Sequence, residues 1–492
     1  MNRLPKDVFV LIPRFFTKES MASDFYAHFP MNGPLITMTH VCRSWRNVLL
    51  STPSLWTQID FAKSPESQQA KGFLRRSGNH PLDIHQFLED QDHVQPFLST
   101  TLRNLSCLRG LEISSCLDHL ERLLERFSAP APVLEYLKIV NDPNITDVDM
   151  KFPCTIFGGQ LPKLTSLSLC YLRTDLRGFN FPSLTRFIFT TGTKTSVRNL
   201  TSFFEKCPLL EFIQICLEFM PQPPTGPPRK RVCLAMLKEL RFDKIACTSG
   251  LLDRLILPKC TEMMLKGQFT GGTPDYHGSP TPHIHPSSIN HLPVMRGITK
   301  AVAMPNSCIL SGPNGDVKFW CFETRDNFDA GFFTLFSRIS ALEIRELWVG
   351  RKTKAYFEGT PKPWKQTATR VRGAFEVLTR VEDLTIVSCE TGPFFATLNV
   401  KTDDDILLPE LRRLTVYVGC GDLDLSALVQ CAKSREEHSR GLEEVTIIFG
   451  SKPKTEVVRA LESLREFVEE LDYHVGAAPA MEPWESQSGE MW

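Results

Sequence analysis

The chain has 492 residues, of which 42% are hydrophobic and 23% are charged, and its formal net charge at pH 7 is +0. This length exceeds what one compact core usually serves, so we expect several domains or one elongated repeat array. The balanced charge excludes a global field that would attract nucleic acid or an anionic membrane, and no segment is apolar for long enough to span a bilayer.

Residues 1–60 carry apolar side chains at helical spacing. A first helix is predicted by Leu4, Val8, Leu11, Ile12 and Phe15. Pro13 lies within that pattern and predicts a kink or an end of the helix. A second, single helix is predicted by Leu35, Met38, Cys42, Trp45 and Leu49. Thr52-Pro53 ends it, so we expect a small helical module at the N-terminus.

The next segment contains a helix start and a turn. Ser64-Pro65 followed by Glu66 is typical of a helix N-terminus, and this helix is expected to continue to Arg75-Arg76. Ser77-Gly78 ends it, and residues 81–84 predict a short strand.

A motif of the form L-x-x-L-x-L, with other apolar residues allowed, recurs from about residue 105 at spacings of roughly 20–30 residues, the range of leucine-rich repeats. Its apolar positions are Leu108, Leu111, Ile113; Leu134, Leu137, Ile139; Leu164, Leu167, Leu169; Leu184, Phe187, Phe189; Leu210, Ile213, Ile215; Leu237, Leu240, Phe242; Ile344, Leu347, Val349; Val381, Leu384, Ile386; Leu411, Leu414, Val416; and Leu442, Val445, Ile447. We expect each unit to supply one strand and one return element, because stacking buries its apolar face against the next unit.

Several segments depart from the repeat. Residues 267–297 are rich in Gly, Pro, His and Ser and predict a long flexible loop. The units on either side, near Met264 and Ile309, match the motif poorly. A last amphipathic helix is predicted by Val457, Leu461, Leu464, Phe467, Val468 and Leu471, and would cap the array. Residues 476–492 are expected to be a disordered tail.

The 15 cysteines are scattered, and none forms a C-x-x-C pair. Several, such as Cys170, Cys216 and Cys389, lie in apolar runs, so we interpret them as buried reduced thiols. The N-terminus lacks the apolar stretch of a signal peptide. We therefore expect a cytoplasmic or nuclear protein.

Three polar constellations have both a functional and a structural interpretation. His277, His283, His285 and His291 fall in one loop and could bind a metal, but a solvated loop is favoured. The basic run 229–231 could be a phosphate or nuclear-import patch, and the acidic run 403–405 a calcium site; solvated turns are favoured for both. We find no catalytic motif, and we predict no enzyme activity, cofactor or metal site.

The segments Leu4-Pro5-Lys6-Asp7-Val8 and Val41-Cys42-Arg43-Ser44-Trp45-Arg46 together resemble the F-box pattern. Residues 51–56, 73–82 and 130–135 are similar to fungal F-box-like proteins. The resemblance implies an α/β protein with a small helical F-box module at 1–60 and an irregular leucine-rich-repeat-like solenoid at 61–475. It also implies that the module binds the adaptor of an SCF-type ubiquitin ligase through Leu4, Pro5, Val8, Ile12, Val41, Cys42 and Trp45. Trp45 fits equally well in the core of the module.

This resemblance implies a substrate-recognition subunit, whose partners are the adaptor, through it a cullin, and a protein substrate. We expect no nucleic-acid or membrane partner. The alternative is a leucine-rich-repeat interaction scaffold with a degenerate F-box and no ligase role. Outward strand positions are candidates for substrate contact, for example Ser166, Ser168, Arg186, Arg413 and Thr415.

Overall fold

The computed structural model describes residues 33–61, 68–88, 94–115, 120–141, 152–153, 155–172, 174–191, 195–217, 231–243, 251–267, 291–304, 307–321, 343–350, 368–387, 391–402, 405–418 and 423–477. The chain forms two compact units. Unit 1 comprises Met1–Pro221 with Val232–Leu237, and unit 2 comprises Gln222–Arg231 with Lys238–Trp492. Both are mixed α/β structures in which parallel strands predominate.

Unit 1 begins, in its described part, with helices α1 (Gly33–Thr39) and α2 (Arg43–Leu50). The prediction of a single helix over residues 35–49 is therefore wrong. Cys42 takes an extended conformation, with φ −158°, and is the N-cap of α2. The end predicted at Thr52-Pro53 is confirmed, because a 3-10 turn, Pro53–Leu55, follows directly.

The break between α1 and α2 has a local cause in side chains that bond to the backbone. The Thr39 hydroxyl donates to the carbonyl of Ile36 at 2.6 Å. Arg46 Nε donates to the carbonyl of Thr39 at 2.9 Å. These bonds occupy backbone acceptors that a continuous helix would use, so the chain turns and starts a second helix.

A parallel sheet forms the body of unit 1. Its strands are β1 (Gln58–Asp60), β2 (Leu82–Leu88), β3 (Leu108–Ser115), β4 (Tyr136–Asn141), β5 (Ser166–Cys170), β6 (Arg186–Thr191) and β7 (Phe212–Leu217), each paired in parallel with the next. The helices after β1 are α3 (Gln68–Ser77), α4 (Val94–Arg103), α5 (Leu120–Glu125) and α6 (Val197–Phe204). A short strand, β8 (Val232–Cys233), also belongs to this unit.

Two early predictions for this unit are partly correct. The predicted helix over 64–76 is observed as α3, although its proposed N-cap at Ser64 lies outside the described residues. The short strand predicted over 81–84 continues as β2 to Leu88. Gly78 follows α3 with φ +59°, a left-handed conformation in which glycine commonly ends helices.

The buried face of the sheet in unit 1 is built from the repeated motif. The second apolar position of each motif lies in one register row across β3 to β7, and this row comprises Leu111, Leu137, Leu167, Phe187 and Ile213. All these side chains are at most 1% exposed. The prediction that these strand residues point into a core is confirmed. Helix α6 covers part of it, with Leu200, Phe203 and Phe204 buried.

Unit 2 repeats this arrangement. Its strands are β9 (Glu239–Asp243), β10 (Leu255–Ile256), β11 (Glu262–Gly267), β12 (Lys300–Met304), β13 (Ser307–Gly312), β14 (Gly315–Cys321), β15 (Glu346–Gly350), β16 (Asp383–Val387), β17 (Arg413–Val418), β18 (Leu442–Phe449) and β19 (Val468–Val475). Its helices are α7 (Ala368–Phe375), α8 (Gly392–Leu398), α9 (Leu425–Glu437) and α10 (Thr455–Leu464). The motif residues again share one row, and Leu347, Leu384, Leu414 and Val445 are at most 2% exposed.

An antiparallel insertion interrupts the parallel order of unit 2. The pairings run β9–β11–β14–β13–β12–β15–β16–β17–β18–β19, and β13 is antiparallel to both of its neighbours. The turn between β13 and β14 is held by Asn314, whose amide donates to the carbonyls of Pro293 and Arg296. Gly315 has φ +123°, and a Cβ there would collide with the carbonyl of Thr261. The turn therefore requires glycine.

The segments near Met264 and Ile309, which match the motif poorly, nevertheless form regular strands. Met264 lies in β11, which pairs with both β9 and β14, and Ile309 lies in β13. Both side chains are at most 6% exposed. The L-x-x-L-x-L pattern weakens here because methionine replaces leucine in β11 and because β12 to β14 form hairpins instead of one repeat.

The prediction of a flexible loop over residues 267–297 is wrong at the C-terminal end of that range. Residues 268–290 lie outside the described residues, but a 3-10 turn, Pro293–Met295, is ordered, with Leu292 and Val294 each 1% exposed. These apolar residues after the His- and Pro-rich stretch bury themselves beneath the antiparallel insertion. The physical signal was present in the sequence as the Leu292 to Met295 cluster.

The last predicted helix is correct only in its first half. Helix α10 ends at Leu464, and Val468 and Leu471 lie in strand β19 instead. The apolar residues after Leu464 alternate as Leu471, Tyr473 and Val475, which is the period of a strand. The predicted tail lies outside the described residues from 478 onward. Among the described helices, none is long and apolar enough to cross a membrane.

Candidate functional site

Residues implied to bind an adaptor fall in two groups. Those in the first predicted helix lie outside the described residues, and they are Leu4, Pro5, Val8 and Ile12. The others, Val41, Cys42 and Trp45, lie at the junction of α1 and α2. Any candidate interface in the described helices is therefore built around this junction.

The α1–α2 junction presents an apolar side chain to solvent. Leu35 and Leu49 are 1% and 0% exposed, whereas Val41 is 57% exposed. Cys42 is also exposed, and Trp45 is half-buried. The Cys42 thiol accepts a weak hydrogen bond from the backbone N–H of Trp45 at 3.5 Å, which helps to start α2. The half-buried Trp45 is therefore partly accessible to a partner.

Trp56 fixes the position of α2. Its Nε1 donates to the carbonyl of Leu49 at 2.9 Å, and its ring meets Phe73 of α3 edge-on, with 4.8 Å between ring centroids. The guanidinium of Arg76 lies 4.7 Å from the centre of the indole ring. Because Trp56 is 1% exposed and contacts both helices, it is a buried anchor that joins α2 to α3.

A polar cluster occupies the outward face of β2 to β4 in unit 1. The Tyr136 hydroxyl shares a hydrogen bond with His85 Nε2 at 3.1 Å, and its ring crosses Gly110, where a Cβ would collide with it. His85 Nδ1 lies 3.0 Å from a Glu112 oxygen, and Lys138 Nζ lies 2.6 Å from the other. We call Tyr136, His85, Glu112 and Lys138 the polar cluster. Register brings them together from positions 85, 112 and 138.

Electrostatics stabilise the charged form of Glu112. Burial alone raises the pKa of this carboxyl, but hydrogen bonds and positive charge from His85 and Lys138 outweigh burial and lower it to about 2. Burial, together with the negative charges of Asp83 and Glu112, raises the pKa of the Tyr136 phenol. The cluster therefore holds Glu112 as an anion and Tyr136 as a neutral hydrogen-bonding group.

An ion pair between a buried carboxylate and a partly exposed arginine lies beside the polar cluster. Asp83 is 1% exposed and forms a bidentate pair with Arg109, in which Arg109 Nε lies 3.0 Å from Asp83 Oδ1. The hydrogen bonds that Arg109 donates to the Asp83 carboxylate raise the pKa of Arg109. The backbone N–H of Asp83 also donates to the Thr57 carbonyl at 2.9 Å. Every charge in this region thus has a partner, which suits positioning and recognition better than acid–base chemistry.

The outward face of unit 2 is apolar at its centre. Trp348 packs against Val387, Tyr417 and Ile448 on one side. On the other side it contacts a second group, which consists of Val302, Ile309 and Met304. A Cβ at Gly350 would lie 2.5 Å from the Cβ of Val387 and 2.9 Å from the indole of Trp348, so both neighbours pack closely on this glycine. Within the part of the chain that the structure describes, the buried Trp348 Nε1 has no hydrogen-bond partner.

A row of ion pairs flanks this apolar patch. Lys300 lies 2.7 Å from Glu346, and Arg413 pairs with Asp383 on neighbouring strands. These residues share one register row with Glu444 on β18. The outward face of unit 2 thus has a largely buried apolar centre and an exposed, charged border.

The outward strand positions proposed for substrate contact lie where the sequence predicts, with one exception. Arg186 and Arg413 are exposed, and Ser166 and Thr415 are half-buried on the outward face. Ser168 is only 7% exposed, and its hydroxyl lies 3.6 Å from the thiol of Cys170. Ser168 is therefore not an available contact. The larger side chains in neighbouring strands close over this small residue.

The described thiols are mostly held in their protonated form. Cys170 is buried, Cys216 is half-buried, and Cys389 lies outside the described residues. Burial raises the pKa of Cys170, and it raises to about 12 the pKa of Cys207, Cys260 and Cys431. A thiol that stays protonated is a poor nucleophile and a poor metal ligand.

The weaker constellations are resolved only in part. Of the loop histidines, His277, His283 and His285 lie outside the described residues, and His291 Nε2 lies 3.4 Å from the Leu255 carbonyl. Of the acidic run 403–405, only Asp405 is described, and it pairs with Arg372. Of the basic run, Arg231 is described and exposed. No group of three or more His, Cys, Asp or Glu side chains within the described ranges is arranged to hold a metal ion.

No protein family and no curated protein matches this sequence detectably. Sequence reasoning missed the polar cluster and the apolar patch around Trp348. They could have been found by comparing, from one motif to the next, the residue between the last two apolar positions. Aligning the repeats places His85, Glu112 and Lys138 side by side, because neighbouring parallel strands keep one register.

Proposed function

We propose that this protein is the substrate-recognition subunit of an SCF-type (cullin–RING) ubiquitin ligase. In this proposal the N-terminal residues and the α1–α2 junction form an F-box that binds the adaptor. The strands form a leucine-rich-repeat-like solenoid, and its outward face binds the substrate protein. The observation that carries the proposal is the junction, where Val41 is 57% exposed while Leu35 and Leu49 on the same helix pair are buried.

The exposure of Val41 supports an interface because the flanking apolar residues have a structural role and Val41 does not. Leu50 of α2 is 39% exposed as well, and exposed apolar side chains that form one patch are typical of binding sites. Trp56 fixes the helix pair through the hydrogen bond that its Nε1 donates to the carbonyl of Leu49. Partner binding would then remove Val41 from water without any rearrangement of the helices.

The strand array supports the receptor half of the proposal. Its buried rows fix the backbone, so outward residues vary without disturbing the core. The polar cluster of unit 1 and the apolar group around Trp348 in unit 2 are two chemically different sets of outward residues on the same kind of backbone. An array that joins an adaptor-binding module to a substrate-binding face raises the local concentration of substrate near the transferase.

The test is adaptor binding by the full chain carrying Val41→Glu. A charge at the centre of an apolar interface should weaken binding by at least about tenfold. Leu209→Glu is the matched control, because Leu209 is 47% exposed but lies far along the chain from the junction. Binding would be measured by interferometry with purified adaptor, with circular dichroism to verify folding.

Capture of adaptor and cullin by the wild type and by Leu209→Glu, but not by Val41→Glu, is the expected result. If the folded wild-type chain captures neither subunit, the ligase proposal fails and the interaction-scaffold alternative takes its place. Substitution is preferable to deletion of residues 1–60, because β1 pairs with β2 and its loss would expose the sheet of unit 1.

A further inference from the structure

Strand β19 leaves one edge of the sheet in unit 2 open. Within the described residues it pairs only with β18. The N–H of Gly476 donates to the carbonyl of Phe449 at 3.0 Å, so the backbone groups of Gly476 face β18. Backbone groups alternate in direction along a strand, which directs those of Leu471, Tyr473 and Val475 toward the open edge. Such an edge can pair with another extended segment.

The apolar row of the sheet is only partly covered at this strand. Leu471 lies beside Val445 and Tyr473 beside Ile447, and both neighbours are 0% exposed. Leu471 and Tyr473 are only half-buried, and Val475 is 56% exposed. The core row of the sheet therefore continues into β19 but is not covered there by another described element. An array end of this kind normally requires a cap.

The opposite face of β19 is acidic. Glu470 and Asp472 alternate with the apolar row and are exposed, and Glu469, which lies on the side of Leu471, is exposed as well. In the described part of the chain, Glu469 and Glu470 form no ion pair, and Asp472 pairs only with His474, at 3.2 Å. The edge thus combines free backbone groups, a half-exposed apolar row and a row of negative charge.

Charge decides which occupant suits this edge. A second copy of the chain, paired through β19, would bring acidic residues against acidic residues. The last residues of the chain, 478–492, contain Glu482, Glu485 and Glu490 and no Lys or Arg, so their charge also opposes binding there. A basic segment from another protein meets no such repulsion.

We propose that the open edge of β19 binds an extended segment of a partner protein in which Lys or Arg alternates with apolar residues. The partner backbone pairs with Leu471, Tyr473 and Val475. Its apolar side chains cover those three residues, and its basic side chains face Glu470 and Asp472. This inference names the chemistry of a captured protein and rests on the proposed function only in assigning that protein as the substrate.

The experiment titrates the full chain against a labelled eight-residue peptide of alternating lysine and valine, with capped termini, by fluorescence anisotropy. We expect saturable binding, and binding at least about tenfold weaker for a peptide of alternating glutamate and valine. The double variant Glu470→Lys with Asp472→Lys should weaken binding of the lysine peptide by at least about tenfold. Glu410→Lys with Glu456→Lys makes the same change in net charge at exposed sites away from the edge and should bind normally.

The backbone is tested with peptides that are N-methylated at every second residue. One of the two methylation patterns should abolish binding and the other should preserve it, because only alternate N–H groups face β19. Equal effects of the two patterns, or equal binding by the edge variant and its control, would overturn the proposal. So would self-association of the wild type that Leu471→Asp abolishes, since a second copy would then occupy the edge.

The two proposals fail separately in this design. The Glu470→Lys and Asp472→Lys variant should still bind the adaptor, and Val41→Glu should still bind the lysine peptide. Loss of peptide specificity with normal adaptor binding rejects the edge alone. Loss of adaptor binding by the wild type, with the peptide still bound, rejects the ligase role alone.

Discussion

The outward faces of units 1 and 2 differ, although their buried faces follow one rule. In unit 1, the outward positions of β2 to β4 carry the polar cluster, in which Tyr136, His85 and Glu112 are joined by hydrogen bonds and ion pairs. In unit 2, the corresponding face carries Trp348 among aliphatic side chains. In unit 1 the Tyr136 ring lies over Gly110 of the neighbouring strand, where a Cβ would collide with it, whereas a Cβ at Gly350 in unit 2 would first meet Val387.

This difference shows that the two faces of each strand have separate roles. Side chains alternate between the two faces of a strand, so the apolar positions of the motif fix the core and leave the intervening positions free. Unit 1 uses that freedom for a polar network, and unit 2 for a largely buried apolar group with a charged border. The two units therefore present chemically different surfaces on the same kind of backbone.

The largest expected effect comes from the shared core. Leu167→Ala in unit 1 and Leu414→Ala in unit 2 should each reduce the free energy of unfolding by roughly 2–5 kcal/mol, because each removes a buried side chain and leaves a cavity. Leu167 is 0% exposed and Leu414 is 1% exposed. Denaturant unfolding followed by circular dichroism measures both.

Outward neighbours on the same strands are the controls for these core substitutions. Ser166→Ala and Thr415→Val should change the free energy of unfolding by less than about 0.5 kcal/mol. An outward substitution that costs as much as its buried neighbour would contradict the division of faces in that unit.

The core was predictable because its signal is local and repeated. Every apolar position of the recurring motif, from Leu108 to Ile447, is buried, since period and spacing alone determine which face each residue takes. The antiparallel insertion was missed because apolar content does not distinguish hairpins from a single repeat, although Pro313-Asn314-Gly315 between two apolar runs is a hairpin signal. Strand β19 was mistaken for helix because Val468 and Leu471 also match helical spacing.

Contacts between distant residues explain the rest of what sequence reasoning missed. Arg435 is 0% exposed, and its guanidinium donates to the carbonyls of Leu407 and Leu408, each at 3.0 Å. Burial lowers the pKa of this arginine. In sequence, Arg435 is one charged residue of the run Lys433 to Glu437 and reads as a solvated helix face. Only the fold shows that it turns inward to satisfy the carbonyls of the turn before β17.

The next effect concerns only the polar cluster of unit 1 and depends on pH. The pKa of Glu112 is lowered from 4.5 to about 2, so its ion pairs stabilise the folded state fully above about pH 4.5. This stabilisation is lost as pH falls through that window toward 2, because the unfolded chain takes up the proton first. The loss should reach at most about 3 kcal/mol.

Glu112→Gln tests this linkage, because glutamine keeps the shape of the side chain and cannot titrate. We expect the variant to be less stable than the wild type at pH 7 and the difference to shrink between pH 4.5 and pH 3. Free energies of unfolding for both chains, measured at several pH values by denaturant titration, give the difference directly. Parallel curves for the two chains would contradict the assigned role of His85 and Lys138.

The smallest effect compares one tyrosine from each outward face. Tyr136→Phe removes the hydroxyl that bonds to His85 Nε2 and leaves that nitrogen without its partner, so the free energy of unfolding should fall by about 1 kcal/mol. Tyr417 belongs to the apolar patch of unit 2, and its hydroxyl makes no hydrogen bond within the described ranges. Tyr417→Phe should therefore change stability by less than about 0.5 kcal/mol. The chemical change is identical at both positions, and only the surroundings differ. A cost at Tyr417 equal to that at Tyr136 would show that the two faces do not differ in how they use polar groups.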